Sequence, residues 1–289
     1  MIATVGTETL IVQAPDIPTP SLKQLAKLAG ASSIEALPTT DTQAFRLAPA
    51  GNRAAVAAFC AESLLDFAFV PPDQRLDRVR LAAIDMDSTL ITIECVDEIA
   101  DMLGIKREVA AITESAMRGE IDFRQSLKQR VRLLTGLDVS ALQRVYDERL
   151  RLSPGAERML AGFRSVGAKT LLVSGGFTFF TERLKARLGI DYTVSNILEI
   201  ADGKLTGRIQ ENIVDATVKA EWIRRLGNEL RGSDGLIVGI GDGANDLPML
   251  ANADISIAYR AKPIVRARTT YAIDQCGLDA ILNVFIHNP

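Results

Sequence analysis

The run Leu81-Ala82-Ala83-Ile84-Asp85-Met86-Asp87-Ser88-Thr89-Leu90 delivers two carboxylates, alternate in sequence, to the end of an apolar strand. In extended backbone residues i and i+2 share a face, so Asp85 and Asp87 start on the same side before the chain turns at Ser88 and Thr89. Two like charges this close are costly unless a cation sits between them or one carboxyl keeps its proton. No histidine or thiolate cluster accompanies the pair, so a hard, oxygen-seeking ion such as Mg2+ fits best. An isolated D-x-D also reads as a turn-forming Asp beside a helix-capping Asp. This one is not isolated.

Two later stretches complete it. Leu171-Leu172-Val173-Ser174-Gly175-Gly176 is a second apolar run, ending in a hydroxyl and two glycines that let backbone N–H groups approach an anion. Gly235 to Asp246 contains a third, Leu236-Ile237-Val238-Gly239-Ile240, followed by the acidic cluster Asp242-Gly243-Ala244-Asn245-Asp246. Between them Lys219 falls in the first turns of a helix opened by Asp215. Each piece alone has an ordinary reading as a turn, a loop or a solvated lysine. Their order, each at a strand end, points to one site.

With these pieces in place the chain resembles the haloacid dehalogenase-like phosphatases, marked by D-x-D-x-T, a Ser or Thr after a second strand, a Lys, and G-D-x-x-x-D. Within them it is most similar to the phosphoserine phosphatase family. That family's D-x-D-S-T is followed, nine residues after the first Asp, by a glutamate, and Glu94 stands there. Met117, Phe123 and Arg130 look like that family's substrate-binding residues. The resemblance runs from about Val79 to the C-terminus and leaves the first seventy-odd residues uncovered.

The resemblance implies Mg2+-dependent hydrolysis of O-phosphoserine, the last step of serine biosynthesis. Asp85 is then the nucleophile that forms an aspartyl-phosphate, and Asp87 the acid and base that serves the leaving oxygen and the attacking water. The metal is held by Asp85, Asp242, Asp246 and the backbone carbonyl of Asp87. Ser174, the Gly175 amide and Lys219 hold the phosphate oxygens, with Asn245 orienting phosphate and lysine. Arg130 pairs with the substrate carboxylate and Glu94 with its ammonium, while Met117 and Phe123 cover its short side chain. Two other readings keep part of this pattern. One is a phosphatase or phosphotransferase for another small phosphorylated amino alcohol. The other is a phospho-receiver or amino-acid sensor without turnover, which needs neither Asp87 nor an inserted cap.

Length and composition set outer limits. The chain has 289 residues, 47% of them hydrophobic, enough for one large or two ordinary domains. A formal charge of -3 gives no basic footprint for nucleic acid or an anionic membrane, so a small molecule is the expected partner. A homodimer stays open. Three scattered cysteines, Cys60, Cys95 and Cys276, make neither a metal-ligand spacing nor an even disulfide framework, which favours a reducing, cytoplasmic setting. The only histidine, His287, lies three residues from the end, which argues against histidine-based phosphoryl transfer.

Residues 1–72 read as strand, helix, strand, strand, helix, strand, the order of a ferredoxin-like α+β unit, and look like the amino-acid-sensing ACT type. Pro20 opens the first helix and Gly30 closes it, while Asn52 is expected to cap the second. Pro71-Pro72 begins a linker. Residues 73–289 are the expected catalytic domain, with a helical cap inserted over about 94–150. Beyond Pro154, strands near 169–173, 192–195, 236–240, 254–257 and 271–273 alternate with helices. That is the pattern of an α/β doubly wound parallel sheet, whose ligands bind outside the carboxyl ends of its strands.

Overall fold

The computed structural model describes residues 8–210 and 212–287, with their side chains except that of Met117. Its first part comprises β1 (Thr9–Ala14), α1 (Thr19–Ala29), β2 (Ser33–Ala36), β3 (Gln43–Ala48), α2 (Arg53–Glu62) and β4 (Asp66–Val70). The strands form an antiparallel sheet of order β2-β3-β1-β4, the ferredoxin-like arrangement expected from the element order. α1 ends where Gly30 turns left-handed at φ 70°. Asn52 differs from expectation: it sits before α2 at φ 52° but its side chain does not cap the helix, donating instead to the Leu28 carbonyl at 3.4 Å.

Strand alternation explains why β1 is buried on both faces. Leu10, Val12 and Ala14 pack under α1 and α2 with Leu25, Val56 and Phe69, whereas Ile11 points the other way into the core of the larger unit, beside Ala68 and Val70. Polar contacts fix this second face. The Gln13 amide donates to the Ala280 carbonyl at 3.2 Å and accepts from Asn283 at 2.9 Å. The carboxylate of Asp66 accepts from three successive backbone amides, Asp274 at 2.8 Å and Gln275 and Cys276 at 3.0 Å, a nest for an anion. The segment after Pro71-Pro72 is docked rather than a free tether. Gln74 donates to the Val284 carbonyl at 2.6 Å, and its own carbonyl accepts from Ile286 at 2.8 Å.

The larger part runs β5 (Val79–Ile84), α3 (Cys95–Met102), α4 (Lys106–Met117), α5 (Phe123–Arg132), α6 (Ser140–Arg144), α7 (Ala156–Ser165), β6 (Lys169–Phe177), α8 (Thr178–Leu188), β7 (Tyr192–Asn196), β8 (Leu198–Ala201), β9 (Lys204–Ile209), α9 (Ala216–Leu230), β10 (Leu236–Gly241), α10 (Leu247–Leu250), β11 (Ile255–Tyr259), α11 (Pro263–Arg266) and β12 (Tyr271–Ile273). Six strands form a parallel sheet of order β12-β11-β10-β5-β6-β7. The strand order reverses between β5 and β10, the crevice where doubly wound sheets take their ligands. Four helices, α3 to α6, are inserted between β5 and β6 as the cap. The two crossings into the cap are tied to each other, Thr92 donating to the Arg151 carbonyl at 2.9 Å and Ser153 to that of Leu90 at 3.0 Å.

One element breaks the expected alternation of strand and helix. β8 and β9 form a hairpin outside the main sheet, turning at Asp202-Gly203, both at positive φ. Asp-Gly between alternating apolar residues is the sequence signal for such a turn. The hairpin bonds to the loop after α5: Gly136 donates to the Leu205 carbonyl at 2.8 Å, and Val139 to that of Gly203 at 3.0 Å. Among the described residues no helix is long and apolar enough to cross a membrane.

Replacing Asp66 with Ala leaves three buried or half-buried amides without their acceptor. The expected cost is about 1–3 kcal/mol, visible as a melting temperature several degrees lower. An unchanged melt would show that the nest contributes nothing to docking of the first sheet.

Candidate active site

Asp85 ends β5, and its amide still bonds to the Ile240 carbonyl of β10 at 3.0 Å, so the two strands deliver their loops side by side. From Asp85 the chain winds through Met86–Leu90, with Leu90 donating back to the Asp85 carbonyl at 3.2 Å and Ser88 held at φ 57°. This turn splits the two aspartates. Asp85 stays on the cavity floor, while the Asp87 carboxylate swings toward the cap and accepts from the Cys95 amide at 2.9 Å. Its other oxygen faces the Ser174 hydroxyl at 3.4 Å. Gly176 has to lack a side chain here, since a Cβ would lie 2.8 Å from Met86 and 2.9 Å from Asp87.

Lys219, 1% exposed, reaches from α9 to the floor. Its Nζ donates to Asp85 Oδ1 at 2.5 Å and to Asp246 Oδ1 at 2.8 Å. Burial works against the ammonium, but the charges of Asp246 and Asp85 outweigh it and hold its pKa above the ordinary lysine value. Asp85 is pushed well up by burial and then by Asp246, with Lys219 opposing. Carboxylate oxygens of Asp85, Asp242 and Asp246 lie within 4.8 Å of one another. An all-oxygen set of this size fits a hard divalent cation. The Asp87 carboxylate is outside it, so a metal contact from this residue falls to its main chain.

The expected residues converge. Asp85, Asp87, Glu94, Phe123, Arg130, Ser174, Gly175, Lys219, Asp242 and Asn245 line one cavity of about 550 Å³, with Asp246 fully buried beneath it. Met117 ends α4, but its side chain lies outside the described residues. Glu94 opens to the cavity and accepts from the Ser88 hydroxyl at 2.7 Å. Burial in the wall, then the charge of Asp87, push its carboxyl up to about 7. Arg130 faces Asp97, Glu94 and Asp87, and its Nε is buried without an acceptor.

Further side chains support the site. Thr89 donates to Asp242 Oδ1 at 3.0 Å, which explains the threonine of D-x-D-S-T. Asn196, 2% exposed, donates to the Gly175 carbonyl at 2.7 Å and accepts from the Val214 amide at 2.8 Å, bracing the phosphate-type loop against the approach to α9. Its strand, Tyr192-Thr193-Val194-Ser195-Asn196, is largely polar, so nothing in the local sequence sets it apart. Asp97 and Lys262 also line the cavity.

A parallel sheet of this order, with an aspartate after its first strand, a lysine-bound acidic cluster at the switch point and a helical cap, defines an aspartate-based hydrolase. Residues 82–251 match the model of the haloacid dehalogenase-like hydrolase family. The phosphoserine phosphatase of Polaromonas sp. (strain JS666 / ATCC BAA-500) is 53% identical over 218 residues, covering 74% of this chain and 92% of that protein. A crystal structure of a probable phosphoserine phosphatase from Vibrio cholerae, unliganded, superposes with TM-score 0.83 at 34% identity, covering 96% of this chain and 85% of that one. A substrate-bound phosphoserine phosphatase structure gives TM-score 0.66 at 34% identity over 72% of this chain and 99% of that one. The chain belongs to the phosphoserine phosphatase family of haloacid dehalogenase-like hydrolases. Residues 10–56 match a model described as a domain of unknown function (DUF4072), which lends the expected ACT role no support.

The acidic cluster sets a pH dependence. Burial, followed by the charge of Asp246, raises Asp242 to about 6. The folded chain then holds this proton up to a higher pH than the unfolded chain does, so the group's contribution to stability is lost as pH rises from about 4 through about 6. Above that window the carboxylates repel and a divalent cation is held best. Mg2+ is therefore expected to raise the melting temperature more at about pH 7.5 than at about pH 5. Equal shifts at both would remove Asp242 from the metal set.

Proposed function

We propose that this chain hydrolyses O-phosphoserine to serine and phosphate, with Mg2+ as cofactor and an aspartyl-phosphate on Asp85 as intermediate. One observation supports the substrate assignment above the others. The cavity that holds Asp85 also holds a guanidinium with a buried, unpartnered N–H and a carboxyl across from it, Arg130 and Glu94, which suit the carboxylate and ammonium of an amino acid. The phosphate machinery itself is indifferent to what carries the phosphate.

Lys219 fixes one oxygen of Asp85 and opposes the burial that favours its proton, and the carboxylate attacks phosphorus in line with the departing serine oxygen. Bound Mg2+ supplies positive charge that offsets the repulsion between this carboxylate and the phosphate dianion. Asp87 gives its proton to the leaving oxygen and then takes one from the water that hydrolyses the acyl-phosphate. Its environment suits that duty. Burial raises its pKa while the Cys95 amide pins one oxygen, and the other, beside the Ser174 hydroxyl, is the one to face the reacting atoms. The Ser174 hydroxyl and the Gly175 amide receive the equatorial phosphate oxygens, and Asn245 stands at the rim to orient them. Phe123 covers the substrate and limits access of water.

The defining experiment is release of orthophosphate from O-phosphoserine with Mg2+ present and after chelation. Asp85→Asn is expected to abolish release and leave the melt intact; near-normal turnover would overturn the covalent route. Asp87→Asn should accumulate the acyl-phosphate and release phosphate slowly, and unchanged turnover would remove Asp87 from its role.

Arg130→Ala and Glu94→Ala each remove one charge partner of the substrate. Such losses run to roughly 2–5 kcal/mol, on the order of 30-fold to a few thousand-fold in kcat/KM for phosphoserine. An aryl phosphate, lacking both charges, should lose much less. Equal losses on both substrates would make these residues supports of the cap rather than readers of the amino acid.

A further inference from the structure

We infer that Arg124 is a positioning residue, which registers the cap on the catalytic lysine helix through Asp215 and so governs how tightly the cavity closes over substrate. Both Nε and Nη2 of Arg124 reach Asp215 Oδ2, at 2.7 and 2.6 Å. The other oxygen of the same carboxylate, Oδ1, caps α9 by accepting from Thr217 and Val218, each at 3.0 Å. One turn further on, the Lys219 amide bonds to the Asp215 carbonyl at 3.0 Å. A single side chain thus caps the start of the helix that carries Lys219 and holds the first turn of a cap helix.

What Arg124 fixes follows from its neighbours on α5. Phe123 precedes it, with its ring tip 3.0 Å from where a Cβ on Gly175 would stand, so the ring lies on the phosphate-type loop. Arg130 lies two turns further along the same face as Phe123. The first turn of α5 is itself rigid, because Asp122 and Gln125 exchange side-chain and backbone bonds in a capping box. Tethering Arg124 therefore sets Phe123 and Arg130 together. Among the described residues this is the only ion pair joining the cap to the core; beside it stand backbone bonds at the chain crossings and hairpin, the Cys95–Asp87 and Ser88–Glu94 bonds at the entry to the cap, the Arg183–Gln143 hydrogen bond at 3.2 Å, and apolar packing of residues such as Leu127 and Val131. With the Arg124 side chain 53% exposed and that of Asp215 17% exposed, the pair is modest in strength, as a contact that must open for substrate and product requires.

The inference rests on the phosphoserine reading and is tested with Arg124→Ala, Asp215→Ser and the double variant. Ser keeps a helix-capping acceptor while losing the charge, so α9 and the melting temperature should be preserved. Each single variant is expected to raise KM for O-phosphoserine by about two- to tenfold, with the double variant no worse than either. The kcat should stay within about twofold, because the reacting groups are untouched. Competitive inhibition by orthophosphate, which the core alone holds, should not change. Amide hydrogen exchange over residues 122–125 should quicken in all three variants, a readout independent of turnover. Additive losses in the double variant, a fall in kcat with KM intact, or unchanged exchange would each overturn the proposal. Faster exchange in variants of a protein that does not turn over phosphoserine would support the tether and sink the substrate assignment.

Discussion

Three carboxylates, Asp85, Asp242 and Asp246, crowd one Lys219 ammonium at the carboxyl ends of β5 and β10, and the surrounding architecture answers that crowding. Removing Lys219 would strand buried carboxylates in a poor solvent, so the cluster depends on that one ammonium. Lys219 alone cannot neutralise the group. Thr89 donates to Asp242, and the Gly243 amide donates to Asp246 at 3.0 Å, each meeting an acceptor that water cannot reach freely. The remaining excess of negative charge is what makes the floor a place for a divalent cation. It also explains Gly241, where a Cβ would stand 2.6 Å from Asp246.

Above the floor the two halves of the site are built by different physics. The sheet carries the residues proposed to react, at parallel strand ends whose register leaves little room for movement. The cap carries the residues proposed to read the amino acid, on helices joined to the core by apolar packing, backbone bonds at the crossings and hairpin, a few side-chain hydrogen bonds and, among the described residues, a single ion pair. In the proposed reaction such a division lets the cap adjust without displacing Asp85. Asp87 bridges the halves, since the amide that pins it belongs to the first residue of α3.

Most of the proposed site was legible in the sequence because each residue proposed to react lies at a strand end or in a helix's first turns, where local pattern and position coincide. Asp85, Ser174, Lys219 and Asp242 are of that kind. The cap residues were legible only through family spacing, since an arginine on a helix has no local signature of facing a cavity. Asn196, the Ser88–Glu94 bond and the Arg124–Asp215 pair were not legible, because each depends on how two distant segments meet. The β8–β9 hairpin had its signal in Asp202-Gly203, masked by the regular alternation of strands and helices around it. Pro71-Pro72 suggested a tether because proline marks a break in local structure and says nothing about what Gln74 binds.

The same docking has a temporal side. Ile11, Ala68 and Val70 are made long before the groups that receive the first sheet, from Tyr271 through Asp274–Cys276 to Ala280 and Ile286. During synthesis the first unit can close its helix-covered face at once, but its opposite face waits for residues 271–286 to leave the ribosome. Until then an apolar sheet surface stands open to other chains, the situation in which multidomain proteins misassemble. Completion of the fold is thus tied to the emergence of residues 271–286, and a molecule lacking them is left with an uncovered sheet as well as a damaged core.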